Sequence, residues 1–324
     1  MPTHWITPED DAHWLKIREG FVSSTESAAL FDIPDDIRPG YIPTAFELWH
    51  IKHRRMDSGF KENSRTRRGK RLEWPIAQEV AEIMGWEVEP LKSYAYRTDV
   101  RMGASFDAKA ICPERGPGLL EIKLVDWRVL SRHWEADEAP PHIEIQVQHQ
   151  LHVADCFEWA AIAAWSGTEP KILIIPRDRE MGEGIARLCN DFWSWNQPPE
   201  PDYSRDTEAL KRVYPKDNGA ELDAYDDKEL LGWAEALDDA KAQLAVLDDV
   251  KKRLENQIRV RLGDHAAATL ADGWLVKAKA QADAPPRFLT VTEDMVGDQI
   301  QVFSGRKGGR PVSVKRLKDN ESRA

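Results

Sequence analysis

A chain of 324 residues with 41% hydrophobic and 31% charged residues holds one large domain, or a domain of about 200 residues with an accessory part, and no apolar run approaches the roughly 20 residues that span a bilayer. Its three cysteines, Cys112, Cys156 and Cys189, are far apart and odd in number, suggesting neither a disulfide framework nor a CxxC metal knuckle. The net charge of −11 argues against a polyanionic partner as a sum, yet from Lys52 to Arg71 nine basic residues face only Asp57 and Glu62, a local +7; such a window suits a nucleic-acid backbone and equally a solvated charge run.

Met1-Pro2-Thr3-His4 carries no signal-peptide pattern, so the expected compartment is the cytosol. Trp14 to Leu30 reads as a short helix, a break at Gly20, and a second helix opened by the Ser/Thr cluster. Arg18 and Thr25 flank that break, where a guanidinium and free helix N–H groups would hold a phosphate; an N-cap beside a surface arginine reads the same way. Thr44 to Lys52 has helical spacing, a polar loop from Asp57 to Arg68 follows, and the next helix is expected from near Gly69 to Gly85, with Pro75 in its first turn.

After Gly85 the period changes to two. Trp86–Glu89, Ser93–Arg97, Met102–Ala110 and Gly118–Val125 read as strands, which puts Asp107 and Glu121 on neighbouring strands of a hairpin. Alternation places Glu121 and Lys123 on one face of the last strand, with Leu120, Ile122 and Leu124 on the other. A loop to Pro141, a helix over Glu144–Ala154, strands Glu158–Trp165 and Lys171–Pro176, and a helix over Glu183–Asn196 complete a first region, with Pro198 to Pro201 as its boundary. Leu230, Ala234, Leu237, Leu244, Leu247, Leu254, Ile258 and Leu262 then mark one amphipathic helix over 227–262, about 50 Å long. Their spacing favours packing within the chain or antiparallel packing over a sustained heptad, an oligomer or partner contact being the other reading. A hairpin over Ala268–Gln281 turning at Asp272-Gly273, and a partly ordered basic tail, end the chain. The expected division is 1–200, 201–285 and 286–324.

Asp107, Glu121 and Lys123 carry the chemistry. Phosphodiester hydrolysis needs a nucleophile made from water, charge relief at phosphorus and a stabilised leaving oxygen, and a carboxylate-bound divalent cation supplies the first and last. Asp107, Glu121 and the carbonyl of Ile122 form an oxygen ligand set suited to Mg²⁺. Lys123 stands where it orients the attacking water and offsets negative charge. Glu73 completes the shell or serves a second ion.

The D…E-x-K order resembles the PD-(D/E)xK nuclease superfamily, and the surrounding motifs resemble one branch of it, the YqaJ-like phage recombination exonucleases. Those motifs are Trp14…Arg18-x-Gly20…Thr25, Phe46-Glu47-Leu48-Trp49, Gly69-x-x-x-Glu73-x-x-Ile76-Ala77, Ser105-x-Asp107, Glu121-Ile122-Lys123, Gln146-Val147-Gln148-His149-Gln150-Leu151, and Phe192-Trp193-x-Trp195. Thr25 stands where serine is more usual, and Leu124-Val125 where a Cys/Thr-Pro turn is frequent. The resemblance implies an α/β restriction-endonuclease-like core, a central mixed sheet flanked by helices, to which the long helix and short hairpin are additions. It implies Mg²⁺- or Mn²⁺-dependent removal of the 5′ strand of linear duplex DNA to mononucleotides, with one or two ions. The 3′ tail passes to a single-strand annealing recombinase, in a phage or prophage setting within a bacterial cytoplasm. It makes Glu73 an active-site acid and Gln146 a site-facing glutamine. Arg18, Thr25 and Ser105 become DNA contacts near the end, with Arg67, Arg68 and Lys70 along the backbone, and a homo-oligomer such as a ring-shaped trimer is an assembly the resemblance allows.

Three other readings compete. A Cas4-like or restriction-type nuclease shares the core, but the cysteines do not fit the four-cysteine cluster of the former. A non-catalytic DNA-binding relic would not need these carboxylates. A metal site on His142, His149 and His152 lacks a spaced acid or cysteine to close a tetrahedral shell.

Overall fold

The computed structural model describes residues 2–57, 63–134, 138–167 and 169–280, and the backbone of three later strands at 287–290, 299–303 and 313–316. Two compact units emerge, Met1–Gly219 and Ala220–Ala324.

In the first unit the elements run β1 (His4–Ile6), α1 (Asp11–Arg18), β2 (Val22–Ser23), a 3₁₀ turn (Ser27–Leu30), α2 (Ala45–Lys52), α3 (Ser64–Met84), β3 (Glu87–Pro90), β4 (Tyr94–Arg97), β5 (Met102–Ala104), β6 (Ala108–Cys112), β7 (Gly116–Leu124), α4 (Trp127–His133), α5 (Pro141–Ala154), β8 (Trp159–Trp165), β9 (Lys171–Pro176), α6 (Arg179–Ser194) and α7 (Thr207–Val213). The main sheet has the order β3-β6-β7-β8-β9, with β7 and β8 parallel and the other pairs antiparallel. A smaller sheet is ordered β1-β4-β5-β2. This is a mixed α/β fold with a central sheet and helices on both faces.

Residue alternation decides what each face of β7 meets. Leu120 and Ile122 join Ile76, Ala77 and Val80 of α3 in one apolar layer. Leu119 points the other way, into the core shared with Val147 and Leu151 of α5 and Ile185 and Phe192 of α6. Glu121 and Lys123 therefore face α5. Strand β8 is buried from Trp159 through Ala164, as a strand covered on both faces must be.

Several local expectations change. The second N-terminal helix is absent: Val22 and Ser23 pair in parallel with Met102 and Gly103, and only a single 3₁₀ turn follows. Backbone pairing on an available strand edge outweighs the capping signal of the Ser/Thr cluster. Helix α3 starts at Ser64 rather than near Gly69, because Asn63 accepts from the N–H groups of Arg65 and Thr66, while Thr66 returns a bond to Asn63. Pro75 is thus in the helix interior, and Gly85 ends the helix in a left-handed conformation, φ 67°. Met102–Ala110 is two strands in different sheets, with Asp107 at the bend between them. The stretch 126–141 contains a helix, α4.

The first unit runs on past Pro201. Ala209 of α7 packs with Phe46 and Met56, and buried Asp206 accepts a 2.6 Å bond from the hydroxyl of Thr44, which also caps α2.

The second unit consists of α8 (Lys228–Leu262), β10 (Ala267–Thr269), β11 (Trp274–Lys277), β12 (Arg287–Thr290), β13 (Gln299–Phe303) and β14 (Ser313–Arg316). The expected hairpin forms, with Asp272 and Gly273 both at positive φ in its turn. The region read as a tail contributes β14, which pairs with β11, and the β12–β13 ladder. Among the described residues no helix is long and apolar enough to cross a membrane.

Candidate active site

Asp107 lies one residue before β6. The β6–β7 ladder ends at Ala108 opposite Leu120, so the backbone of Ile122 is beyond it. Asp107 takes up that edge, its Oδ2 accepting the Ile122 N–H at 2.7 Å. In an extended strand the N–H and C=O of one residue leave the same edge, so the Ile122 carbonyl also emerges on the Asp107 side.

Glu121 is held from three directions. Lys123 Nζ and Gln146 Nε2 each donate to its Oε1 at 2.7 Å, and Gln150 Nε2 donates to its Oε2 at 2.7 Å. Gln146 Oε1 in turn accepts from Lys123 at 2.8 Å. A carboxylate offers about four acceptor positions, so three hydrogen bonds fix Glu121 while leaving room for a cation contact. Gln150 was not foreseen. The available signal was its spacing of four from Gln146, which puts both on one helix face; the approach of that face to β7 was not visible.

The electrostatics are those of a site with too much negative charge. Burial, then the charge of Glu121, pushes Asp107 well above the usual carboxylate range, although Lys123 opposes this. Glu73, half-buried on α3, is raised by burial and then by Glu121. For Lys123 burial pulls downward, but Glu121 and Asp107 outweigh it and the ammonium ends above its ordinary value. Three carboxylates against one ammonium leave two negative charges, which a divalent cation would neutralise, and oxygen donors of this kind fit a hard ion. Among the described residues no three His, Cys, Asp or Glu side chains already close on a single point.

Arg18 connects to this cluster through a chain of contacts. Its guanidinium lies 4.3 Å over the Trp14 ring and donates to Ser23 Oγ at 2.9 Å, and Ser23 Oγ is 3.3 Å from Thr25 Oγ1. The Trp14 indole N–H donates to Ser105 Oγ at 2.9 Å, and the Ser105 carbonyl accepts from Gln150 at 3.0 Å. Burial alone would raise Glu26, but Lys52, at 2.7 Å, and Arg18 hold it low. Lys52 is therefore used internally, a correction to the reading of residues 52–71 as one surface window. Arg67, Arg68 and Lys70 are exposed on α3, Lys70 lying 3.9 Å from Asp11. These three are not brought against the carboxylates, except that Lys70 is close enough to Glu73 to lower it.

The histidine alternative does not hold. His149 Nε2 meets the Gly103 carbonyl at 3.1 Å and His152 Nε2 meets Arg97 at 3.0 Å. Burial pushes them down to about 3 and about 4 respectively, so both are neutral packing groups. Asp99 is paired with Arg97 at 2.8 Å and held at about 2 by that bond. Tyr41 and His142, edge-on at 6.2 Å, stand within electrostatic reach of Lys123 and were not anticipated.

An aspartate at the end of one strand, a glutamate and lysine alternating on its neighbour, and helices over both faces of a mixed sheet define the PD-(D/E)xK core. Residues 13–157 match the family profile of the YqaJ-like viral recombinase domain. The matched stretch contains Arg18, Glu73, Asp107, Glu121, Lys123, Gln146 and Gln150.

Solved structures similar to the chain include an alkaline exonuclease from Laribacter hongkongensis, at 19% identity and TM-score 0.45 over 62% of this chain and 96% of that one. Its complex with dAMP gives 20% and 0.46 over the same shares. A phage related exonuclease from Haemophilus somnus 129PT gives 14% and 0.38 over 53% and 93%. No curated protein matches the chain.

Proposed function

We propose that this chain is a metal-dependent exonuclease that removes the 5′ strand of linear duplex DNA and leaves a 3′ single-stranded tail for an annealing recombinase. The observation that carries this reading is the Asp107–Glu121–Lys123 cluster, braced by Gln146 and Gln150 inside a YqaJ-like domain. Asp107, Glu121 and the Ile122 carbonyl hold Mg²⁺ or Mn²⁺, with Glu73 directly or through water, or on a second ion. When bound, the metal supplies a more acidic water and charge relief at the leaving oxygen.

The side chains do the rest. Lys123 points its ammonium to the face where Glu121 lies, so a water there is oriented by an N–H donor and the charge that builds on phosphate is offset. Because Lys123 remains a cation, it serves as a donor and counter-charge rather than as a base. Gln146 and Gln150 keep Glu121 in one rotamer, and Arg18 presents a guanidinium for a phosphate near the DNA end. Thr25 and Ser105 stand along the same path, while Arg67, Arg68 and Lys70 track the duplex backbone.

The test is Lys123→Ala. Nucleotide release from linear duplex DNA is expected to fall at least ~10²-fold, while DNA affinity by fluorescence anisotropy changes little. Full activity in this variant would remove Lys123 from the chemistry.

A further inference from the structure

His142, Gln146 and Gln150 follow one another at intervals of four on α5, so their side chains share one face of the helix. Gln150 and Gln146 hold Glu121, and Gln146 also holds Lys123 at 2.8 Å. His142 continues the row by one turn, about 5.4 Å, toward the start of the helix. Its Nδ1 is buried without a hydrogen-bond partner among the described residues. Burial, then Lys123 and His133, pull the imidazole down to about 4, so the ring is neutral at pH 7. What it meets is the ring of Tyr41, edge-on at 6.2 Å.

The chain around Tyr41 is anchored. The Ile42 N–H donates to the Pro39 carbonyl at 3.1 Å, Ile42 itself is buried in the main core, and Thr44 caps α2. Tyr41 is nevertheless 73% exposed. Enclosure of its hydroxyl raises the phenol, with Lys123 opposing this and Glu121 adding to it. A ring that solvent reaches, with protein around its hydroxyl and the charges of the site close by, stands at the mouth of the cleft that holds Glu121 and Lys123.

A nucleotide bound with its phosphate at Lys123 carries its base one sugar away, the kind of remove at which the α5 row sets His142 and Tyr41. Every base has a π-face, so an aromatic ring there holds a terminal nucleotide without reading its sequence. We propose that Tyr41, braced edge-on by His142, stacks on the base of the nucleotide being released and so positions its phosphate against Lys123. This rests on the nuclease reading of the Asp107–Glu121–Lys123 cluster.

A cycle that removes the ring, the base or both tests the stacking. Linear duplexes carry either an ordinary terminal nucleotide or an abasic tetrahydrofuran residue, in separate sets for the 5′ and the 3′ end. Tyr41→Ala is expected to lower kcat/KM with Mg²⁺ ~10-fold on the ordinary 5′ end. The abasic 5′ end is expected to cost the wild type the same factor and the variant nothing more, while Tyr41→Phe keeps wild-type values on both. The same coupling is read in Kd by fluorescence anisotropy in EDTA, where turnover is not needed. Additive losses in both measurements, or a Tyr41→Phe as impaired as Tyr41→Ala, would overturn the stacking. Coupling at the 3′ end instead would sustain it and contradict the polarity. A wild type that releases no nucleotide would overturn the nuclease reading, and the coupling in Kd then decides the stacking by itself.

Discussion

Asp107 is the residue whose environment most clearly asks for something else to be present. Its carboxyl is raised by burial and by Glu121, so between the ordinary aspartate range and the raised value the folded, metal-free chain holds a proton there that the unfolded chain has released. That contribution to stability is complete below the ordinary aspartate range and is lost as pH rises through the raised value. In EDTA at pH 8, Asp107→Asn is therefore expected to raise Tm by ~2–4 °C, because asparagine still accepts the Ile122 N–H without the charge. A lower Tm in thermal unfolding would show that the charge is already compensated. Gln150→Leu removes the bonds to Glu121 and to the Ser105 carbonyl, and the Mg²⁺ concentration for half-maximal rate is expected to rise ~10–100-fold. An unchanged Mg²⁺ dependence would make Gln150 a packing residue only. The juxtaposition of Asp107, Glu121 and Lys123 was legible in the sequence from their types and spacing. Gln150 and the Arg18–Trp14–Ser105 path were not, because they depend on which helix face meets which strand.

Strand β7 is the element that assembles the site, and its register is guarded by small residues. A Cβ on Gly118 would stand 2.3 Å from the Trp159 ring of β8, a separation that forces the strand or the ring to move. Gly118→Ala is expected to cost ~1–3 kcal/mol in chemical denaturation, the usual range for overpacking, and to lower nuclease rate by displacing Glu121. A neutral effect on both would mean that the β7–β8 pair is more compliant than its packing suggests. The period of two in β7 and the apolar content of β8 made these strands readable. The start of α3 and the fate of the Ser/Thr cluster were not, since one turns on a capping box at Asn63 and the other on a strand edge offered by residues some 80 positions away.

At the scale of the whole molecule, an acidic chain keeps its cationic surface local. If Arg67, Arg68 and Lys70 contact DNA phosphates, each alanine substitution is expected to weaken binding on every sequence and to reduce the log–log salt slope by about 1. A slope unchanged in all three would assign that surface to simple solvation. Composition left open one large domain or a core with an addition, and the long helix was readable from its periodicity. The extension of the first unit to Gly219 was less so, because it rests on Asp206 and Ala209 reaching α2 from far along the chain. The activity proposed for the whole chain is metal-dependent digestion from a 5′ end. Linear duplexes labelled at the 5′ or the 3′ terminus, incubated with Mg²⁺ or with EDTA and resolved on a gel, test it most directly. The prediction is early release of 5′ label as mononucleotide, persistence of 3′ label, and no release in EDTA; loss of 3′ label first, cutting of closed circles, or release in EDTA would contradict it.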